Sequence, residues 1–318
     1  MTELPERTAE TLKAFRRIFL PNAEAVDERI DRAVADTGTA KAAIRALIGA
    51  PAFRLRHAHV FQGIGHAYEA AQIETSASEE ELAVLFGQME AAWRRLGEES
   101  PYHSVLASQA TGPRGSDVEA FRASGRAEVE ALMRTLERSG PLPAHATLLE
   151  VGCGMGRMTI PLATRFERVV AMDISASHLA AARAYAEEAG VRNAEFRLLQ
   201  SVDALAAGAF DIVLCFQVLQ HNPPPVIARM LDRIFAALRP GGRALVHLVH
   251  HRVGYAFDTA SYLAAGGVRE EIEMHAFPQR EAFRIAREAG CHPVDAVDVA
   301  LHRRDSIHAQ FCTFRKDA

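Results

Sequence analysis

Acidic, glycine and histidine residues with the spacing of a small-molecule site gather in the second half of a 318-residue chain. The run L-L-E-V-G-C-G-M-G-R at 148–157 sets Glu150 ahead of three glycines at alternate positions, Gly152, Gly154 and Gly156, with Cys153 between the first two. A second apolar run, V-V-A-M-D-I, ends in Asp173 and Ile174. Glycines at a strand-to-helix turn permit a tight turn and let a ligand approach the backbone closely. A helix opening near Met155 would aim its free N–H groups at that ligand. An acid at the end of the next strand can accept hydrogen bonds from both hydroxyls of a ribose, besides capping the helix that follows in S-A-S-H-L. The pairing points to a nucleoside-bearing ligand at the carboxyl edge of a parallel sheet.

Two residues narrow the ligand. A dinucleotide loop needs glycine at 157, where close helix–strand packing leaves no room for a side chain, and this chain has Arg157. Glu150 stands just before the glycines, where a carboxylate would repel a pyrophosphate. Both favour a ligand with a cationic amino-acid end and no phosphates.

The elements that must position these residues follow from hydrophobic period and from turn signals. Residues 1–140 read as an N-terminal helical cap or accessory region, and 141–318 as the ligand-binding domain. Helical spacing recurs at 11–20, 27–36 and 39–50, and Ser78 with Glu81 forms a capping box ahead of E-E-E-L-A-V-L-F-G-Q-M-E. The segment 101–116 is an irregular connection, and a helix over about 118–139 ends at Ser139-Gly140-Pro141. From 147 onward, apolar strands alternate with helices: A-T-L-L-E-V, R-V-V-A-M, A-E-F-R-L-L, F-D-I-V-L-C-F and R-A-L-V-H-L-V are strands. V-D-A-V-D-V-A and the tail H-A-Q-F-C-T-F-R-K complete the set, with a helix at P-Q-R-E-A-F-R-I-A-R-E-A-G before them. Such alternation means an α/β fold whose largely parallel sheet is covered on both faces.

With L-L-E-V-G-C-G-M-G-R and V-V-A-M-D-I, the runs F-D-I-V-L-C-F-Q-V-L-Q-H and L-R-P-G-G together resemble the class I S-adenosylmethionine-dependent methyltransferases. The resemblance is strongest over about 145–250. It implies a Rossmann-like, seven-stranded, mostly parallel sheet flanked by helices, with S-adenosylmethionine over strands one and two. Glu150, Gly152, Cys153, Gly154 and Gly156 match the surroundings of the methionine moiety, Asp173 the ribose acid, and Ile174 the apolar residue beside adenine. Phe216 and Gln217 match the wall after strand four. Family members often carry an acid after strand three, near the adenine amino group. Gln200 holds that place here, with Ser201 and Val202 beside it, and a shifted loop would bring Asp203 instead. Arg126 is long enough to reach a methionine carboxylate.

Methyl transfer from a sulfonium is an in-line displacement in which the protein aligns a nucleophile and excludes water. An oxygen nucleophile often needs a proton acceptor, and histidine suits that task near neutral pH. His221 follows strand four in Q-V-L-Q-H-N-P-P-P, where it is either a base or a group that orders the loop. His250 and His251 end strand five, and His275 lies in E-I-E-M-H-A-F-P-Q before the last helix. His247, inside strand five, reads as a packed core residue. Tyr255 and Tyr262 are spaced to shape an acceptor pocket or to pack as a lid. Tyr102 and His103, in P-Y-H-S-V-L, are expected either to fold over the ligand or to pack between regions. The end of strand four lacks the paired acids that a hard cation wants, so no metal is expected.

Composition excludes other classes. The formal net charge of −4 disfavours a nucleic-acid partner, and the sequence holds no apolar run long enough to span a membrane. Four widely spaced cysteines in or beside apolar runs fit a reducing, cytoplasmic setting. The reading is methylation of a small molecule, a sugar or secondary metabolite, at oxygen. An RNA or protein methyltransferase, a non-enzymatic cofactor-binding scaffold and a nicotinamide oxidoreductase are the rivals. N-P-P-P after His221 lacks the aromatic residue of the N-P-P-Y type of amino-methylating motif. Oligomeric state is left open.

Overall fold

The computed structural model of the protein describes residues 72–99, 105, 118–205, 207–252, 254–268, 272–299 and 307–318. The expected helices at 11–20, 27–36 and 39–50, together with Tyr102 and His103, lie outside these residues. Residues 70–302 and 307–318 form one compact unit, to which everything below belongs.

Two helices precede the sheet, α1 (Glu79–Glu99) and α2 (Val118–Glu137). The capping box forms as the sequence requires: the Ser78 N–H donates to Glu81 Oε2 at 2.8 Å and the Glu81 N–H to Ser78 Oγ at 3.2 Å. Strands and helices then alternate through β1 (Thr147–Val151), α3 (Thr159–Ala163), β2 (Arg168–Asp173), α4 (Ala176–Glu188), β3 (Ala194–Leu198) and β4 (Phe210–Cys215). They continue through α5 (Pro224–Ala237), β5 (Leu238–Arg252), α6 (Thr259–Ala264), α7 (Gln279–Glu288), β6 (Cys291–Val299) and β7 (Ile307–Lys316). The seven strands lie in the order β3-β2-β1-β4-β5-β7-β6, with β7 antiparallel to both neighbours. The expected Rossmann-like sheet is therefore present.

Two boundaries differ from the sequence reading. β5 starts at Leu238 rather than after Gly242, because Leu238 already pairs with Phe210 across a register irregularity in β4. The segment after β5, for which the sequence reading named no element before the helix at P-Q-R-E-A-F-R-I-A-R-E-A-G, holds the short helix α6, whose N-cap Asp258 accepts from the Ser261 N–H at 2.7 Å.

Alternation along each strand sends side chains to two faces. Leu149, Val151, Val170, Met172, Val213 and Cys215 pack with Val226, Ile227, Met230, Leu231, Ile234 and Phe235 of α5. Leu148, Val169, Ala171, Ile212 and Leu214 pack with Val129, Leu132, Met133 and Leu136 of α2. Each fully buried aliphatic side chain contributes about 1.5–3 kcal/mol by removal from water. Asp211 accepts from the Thr147 N–H at 2.7 Å and so ties the amino ends of β1 and β4, far from the carboxyl edge. The buried Arg243 guanidinium donates to the carbonyls of Leu136, Gly140 and Pro141, fastening the C-terminal end of α2 to β5. Among the described residues no helix is long and apolar enough to cross a membrane.

Helical glycines separate two kinds of surface. Nothing lies within 4 Å of a Cβ built on Gly87, so Gly87→Ala should raise stability by up to about 1 kcal/mol. A Cβ on Gly125 would meet the backbone oxygen of Arg157 at 2.1 Å. Gly125→Ala should therefore lower stability, by about 1–3 kcal/mol. Urea unfolding of both variants checks this, and equal gains would contradict the close seating of α2 on Arg157.

Candidate functional site

β1 and β2 end side by side, with Val151 paired to Met172, and β4 ends next to them, with Cys215 paired to Val151. The glycine loop, Asp173 and Phe216 thus leave the sheet together at its carboxyl edge. Gly152 and Gly154 hold φ of 79° and 52°, which favour glycine. Close approach excludes a side chain as well: a Cβ on Gly152 would lie 2.2 Å from Val218 Cγ2, and one on Gly154 3.0 Å from Val105 Cγ2. The N–H groups of Gly152 and Cys153 donate to the Met172 carbonyl at 2.7 and 3.0 Å, and the Gly156 N–H closes the turn on the Cys153 carbonyl.

Asp173 is buried and joins two turns. Its Oδ2 accepts from the Gly154 N–H at 2.8 Å and its Oδ1 from the Ser175 N–H at 2.9 Å. The capping role falls instead to Ser175, whose hydroxyl accepts from the His178 N–H. Buried His178 stands behind the carboxylate, its Nδ1 at 3.5 Å from Asp173 Oδ1. Ile174 is half-buried beside it.

Glu150 is 3% exposed and accepts a 2.6 Å hydrogen bond from the Thr159 hydroxyl. Burial lifts its carboxyl to about 7, against the opposing pull of Thr159 and the weaker influence of Arg157. Arg157 turns the other way, donating to Ser124 Oγ at 3.2 Å and lying 3.4 Å from Glu128 on α2. Burial also raises the Cys153 thiol, which keeps it protonated.

The remaining sequence candidates divide. After β3, Ser201 Oγ accepts from the Asp203 N–H, Val202 is buried and Gln200 is exposed. The Asp203 carboxylate lies 2.8 Å from Arg233 Nε of α5. After β4, Gln217 takes a left-handed φ of 55°, a sparsely populated conformation that concentrates at functional turns. Arg126 pairs with Glu119 on an exposed part of α2, beside a cleft of about 460 Å³ lined also by Arg122 and Tyr185, and does not reach the loop.

His221 and His275 are brought together by Glu273, a residue that sequence reasoning missed. His221 Nδ1 donates to the Glu273 carbonyl at 2.8 Å, while His275 Nε2 lies 3.0 Å from Glu273 Oε2. The same Oε2 accepts from Tyr262 Oη at 2.6 Å, and Tyr255 Oη lies 2.8 Å from His275 Nδ1. The His275 N–H donates to the Gln220 carbonyl, which stitches this segment to the exit of β4. Burial pushes His221 down to about 4, and the Trp93 ring of α1 lies 5.4 Å from it. His250 is not in this cluster; its Nδ1 meets the Phe277 carbonyl and its Nε2 the Cys312 thiol, and burial lowers it to about 4. His251 pairs in register with His308 on β7. His247 is buried between Phe216 and Phe311 with ring centroids at 6.1 and 5.2 Å, and burial holds it down to about 3. His250 falls at the register irregularity between Val249 and His251, where strand alternation gives no guide to its direction, and nothing in the sequence singled out Glu273.

The chemistry of the donor set fits a ligand with hydroxyls and a cationic end: two buried carboxylates flank the loop, and Arg157 turns away from it. A family profile described as a methyltransferase domain matches residues 148–242. The chain is 36% identical over 121 residues to the ubiquinone biosynthesis O-methyltransferase of Xanthomonas axonopodis pv. citri (strain 306), covering 37% of this chain and about half, 48%, of that protein. It is 38% identical over 169 residues to the enzyme of the same name from Methylobacterium sp. (strain 4-46), covering 51% of this chain and 67% of that one. The chain belongs to the class I S-adenosylmethionine-dependent methyltransferases. Its cofactor is S-adenosylmethionine. The fold is also that of magnesium protoporphyrin IX methyltransferase from Synechocystis PCC 6803, with a TM-score of 0.52 at 18% identity, over 72% of this chain and 100% of that one.

Glu150 gives a pH test. Burial pushes its carboxyl up to about 7, and an ammonium group brought beside it would favour the ionised form. Binding therefore strengthens as pH rises through that value and releases a proton below it. We expect affinity about tenfold weaker near pH 6 than near pH 8, with the proton seen by calorimetry in buffers of different ionisation enthalpy. Glu150→Gln should bind less tightly and lose the pH dependence. Equal affinity across that range in the unaltered protein would contradict the assignment.

Proposed function

We propose that this protein transfers the methyl group of S-adenosylmethionine to a hydroxyl of a small molecule, a sugar or secondary metabolite. The observation that carries the reading is the pair of buried carboxylates, Glu150 and Asp173, on either side of the positive-φ glycine loop. A pyrophosphate would be repelled there, whereas a ribose diol and an α-ammonium group would be accepted. In this proposal Gly152, Cys153, Gly154 and Gly156 face the methionine end, Ile174, Gln200, Ser201 and Val202 the adenine, and Phe216 and Gln217 the wall beyond. When bound, the cofactor supplies a sulfonium methyl carbon and keeps the carbon–sulfur electron pair as it leaves as a thioether. Transfer at oxygen is supported by the names of the relatives, each an O-methyltransferase. His221, His250, His251 and His275 are the candidate proton acceptors, and Tyr255 and Tyr262 the candidate acceptor-site walls. Four free, buried cysteines support a cytoplasmic home.

Calorimetric titration tests the reading. S-adenosylhomocysteine should bind, reduced nicotinamide dinucleotide should not, and Asp173→Ala should weaken binding by about tenfold or more through loss of hydrogen bonds to a charged group. Binding of the nicotinamide cofactor without S-adenosylhomocysteine would sink it.

A further inference from the structure

The segment after β5 holds four ionisable side chains in one hydrogen-bonded chain: Tyr255, His275, Glu273 and Tyr262. A carboxylate only accepts, so the imidazole presents Nε2–H to Glu273, and the neutral ring then carries its lone pair on Nδ1. Tyr255 then donates its O–H to that lone pair. His275 is 5% exposed, whereas Tyr255 is half-buried, so the phenol is the more accessible end of the pair. The chain is fixed at both ends of the segment. Arg252 donates to the Met274 carbonyl at 2.7 Å, and the Glu273 carbonyl and the His275 N–H are bonded to His221 and Gln220. Those two residues close the short turn Leu219–His221, which leaves β4 through Phe216, Gln217 and Val218, so the relay is tied by hydrogen bonds to the exit of β4.

We propose that Tyr255, His275 and Glu273 form the proton relay for methylation at oxygen, with Tyr255 the group that meets the acceptor hydroxyl and Glu273 a positioning residue. The inference rests on the reading under Proposed function. As the acceptor oxygen forms its bond to the methyl carbon, its proton passes to Tyr255 Oη and the phenolic proton passes to His275 Nδ1. The imidazolium so formed is balanced by Glu273, and the Tyr262 hydroxyl fixes the carboxylate. Burial raises the Tyr255 phenol, so Tyr255 hands on a proton without resting as phenolate. The relay assigns no proton transfer to His250 or His251, and His221 serves to anchor Glu273.

The test uses the full chain labelled with ¹⁵N-histidine. Imidazole spectra at neutral pH should show His275 as the neutral Nε2–H tautomer, with Nδ1 shifted in Tyr255→Phe. Transfer of labelled methyl from S-adenosylmethionine to catechol or glucose should then fall about 100-fold or more in kcat in Tyr255→Phe, His275→Gln and Glu273→Gln. Glu273→Asp should recover part of the loss, while S-adenosylhomocysteine affinity and KM move far less than kcat. An Nδ1–H tautomer, transfer to benzylamine with none to the hydroxyl probes, or an undiminished kcat in Tyr255→Phe would overturn the relay. S-adenosylhomocysteine binding is measured in parallel: its loss in the unaltered protein counts against the methyltransferase reading, whereas intact binding with the wrong tautomer counts against the relay alone.

Discussion

The two oxygens of Asp173 accept the N–H groups of Gly154 and Ser175, and through them one carboxylate fixes the two turns that meet at the carboxyl edge. The glycine loop cannot hold its path alone. Its left-handed residues are entropically costly to order, and Val218 and Val105 crowd it from outside. Hydrogen bonds to a buried anion are worth roughly 1.5–3 kcal/mol each, enough to set the turn. The sheet brings β1, β2 and β4 to that point in one register, and the helices bury its two faces to keep them there. Glu150, one strand away from Asp173, is the second buried acid, and its cost falls when a cation arrives.

Much of this arrangement was legible in the chain. The spacing of Gly152, Gly154 and Gly156, with Asp173 closing the next strand, sufficed to place a site, because local backbone needs dictate those residue types. Strand and helix order was legible for the same reason, since period separates the two. The start of β5 was not, because the pairing of Leu238 with Phe210 is a tertiary choice that overrides the R-P-G-G turn signal.

The acceptor side was much less readable. His275 and His221 stood out by residue type, yet their relation depends on Glu273, an acid in a segment with no period and no motif. One glutamate serves two histidines through different atoms, its carbonyl and its carboxylate, and no spacing rule foretells that. Arg157 was informative as a departure from a dinucleotide loop, but its direction, toward Ser124 and Glu128, follows from the seat that Gly125 provides on α2. His250 shows the converse: adjacent to the carboxyl edge in sequence, it lies at the register irregularity between Val249 and His251, and its ring meets Phe277 and Cys312.

The central claim is that Asp173 and Glu150 together receive a nucleoside and a cationic amino-acid end. A crystal structure with S-adenosylhomocysteine addresses it most directly. The account predicts ribose hydroxyls on the Asp173 carboxylate, with its bonds to Gly154 and Ser175 kept, and the ammonium end on the Glu150 side of the glycine loop. Ligand density away from the loop, or a ribose held by other residues while Asp173 contacts only its two N–H groups, would contradict it.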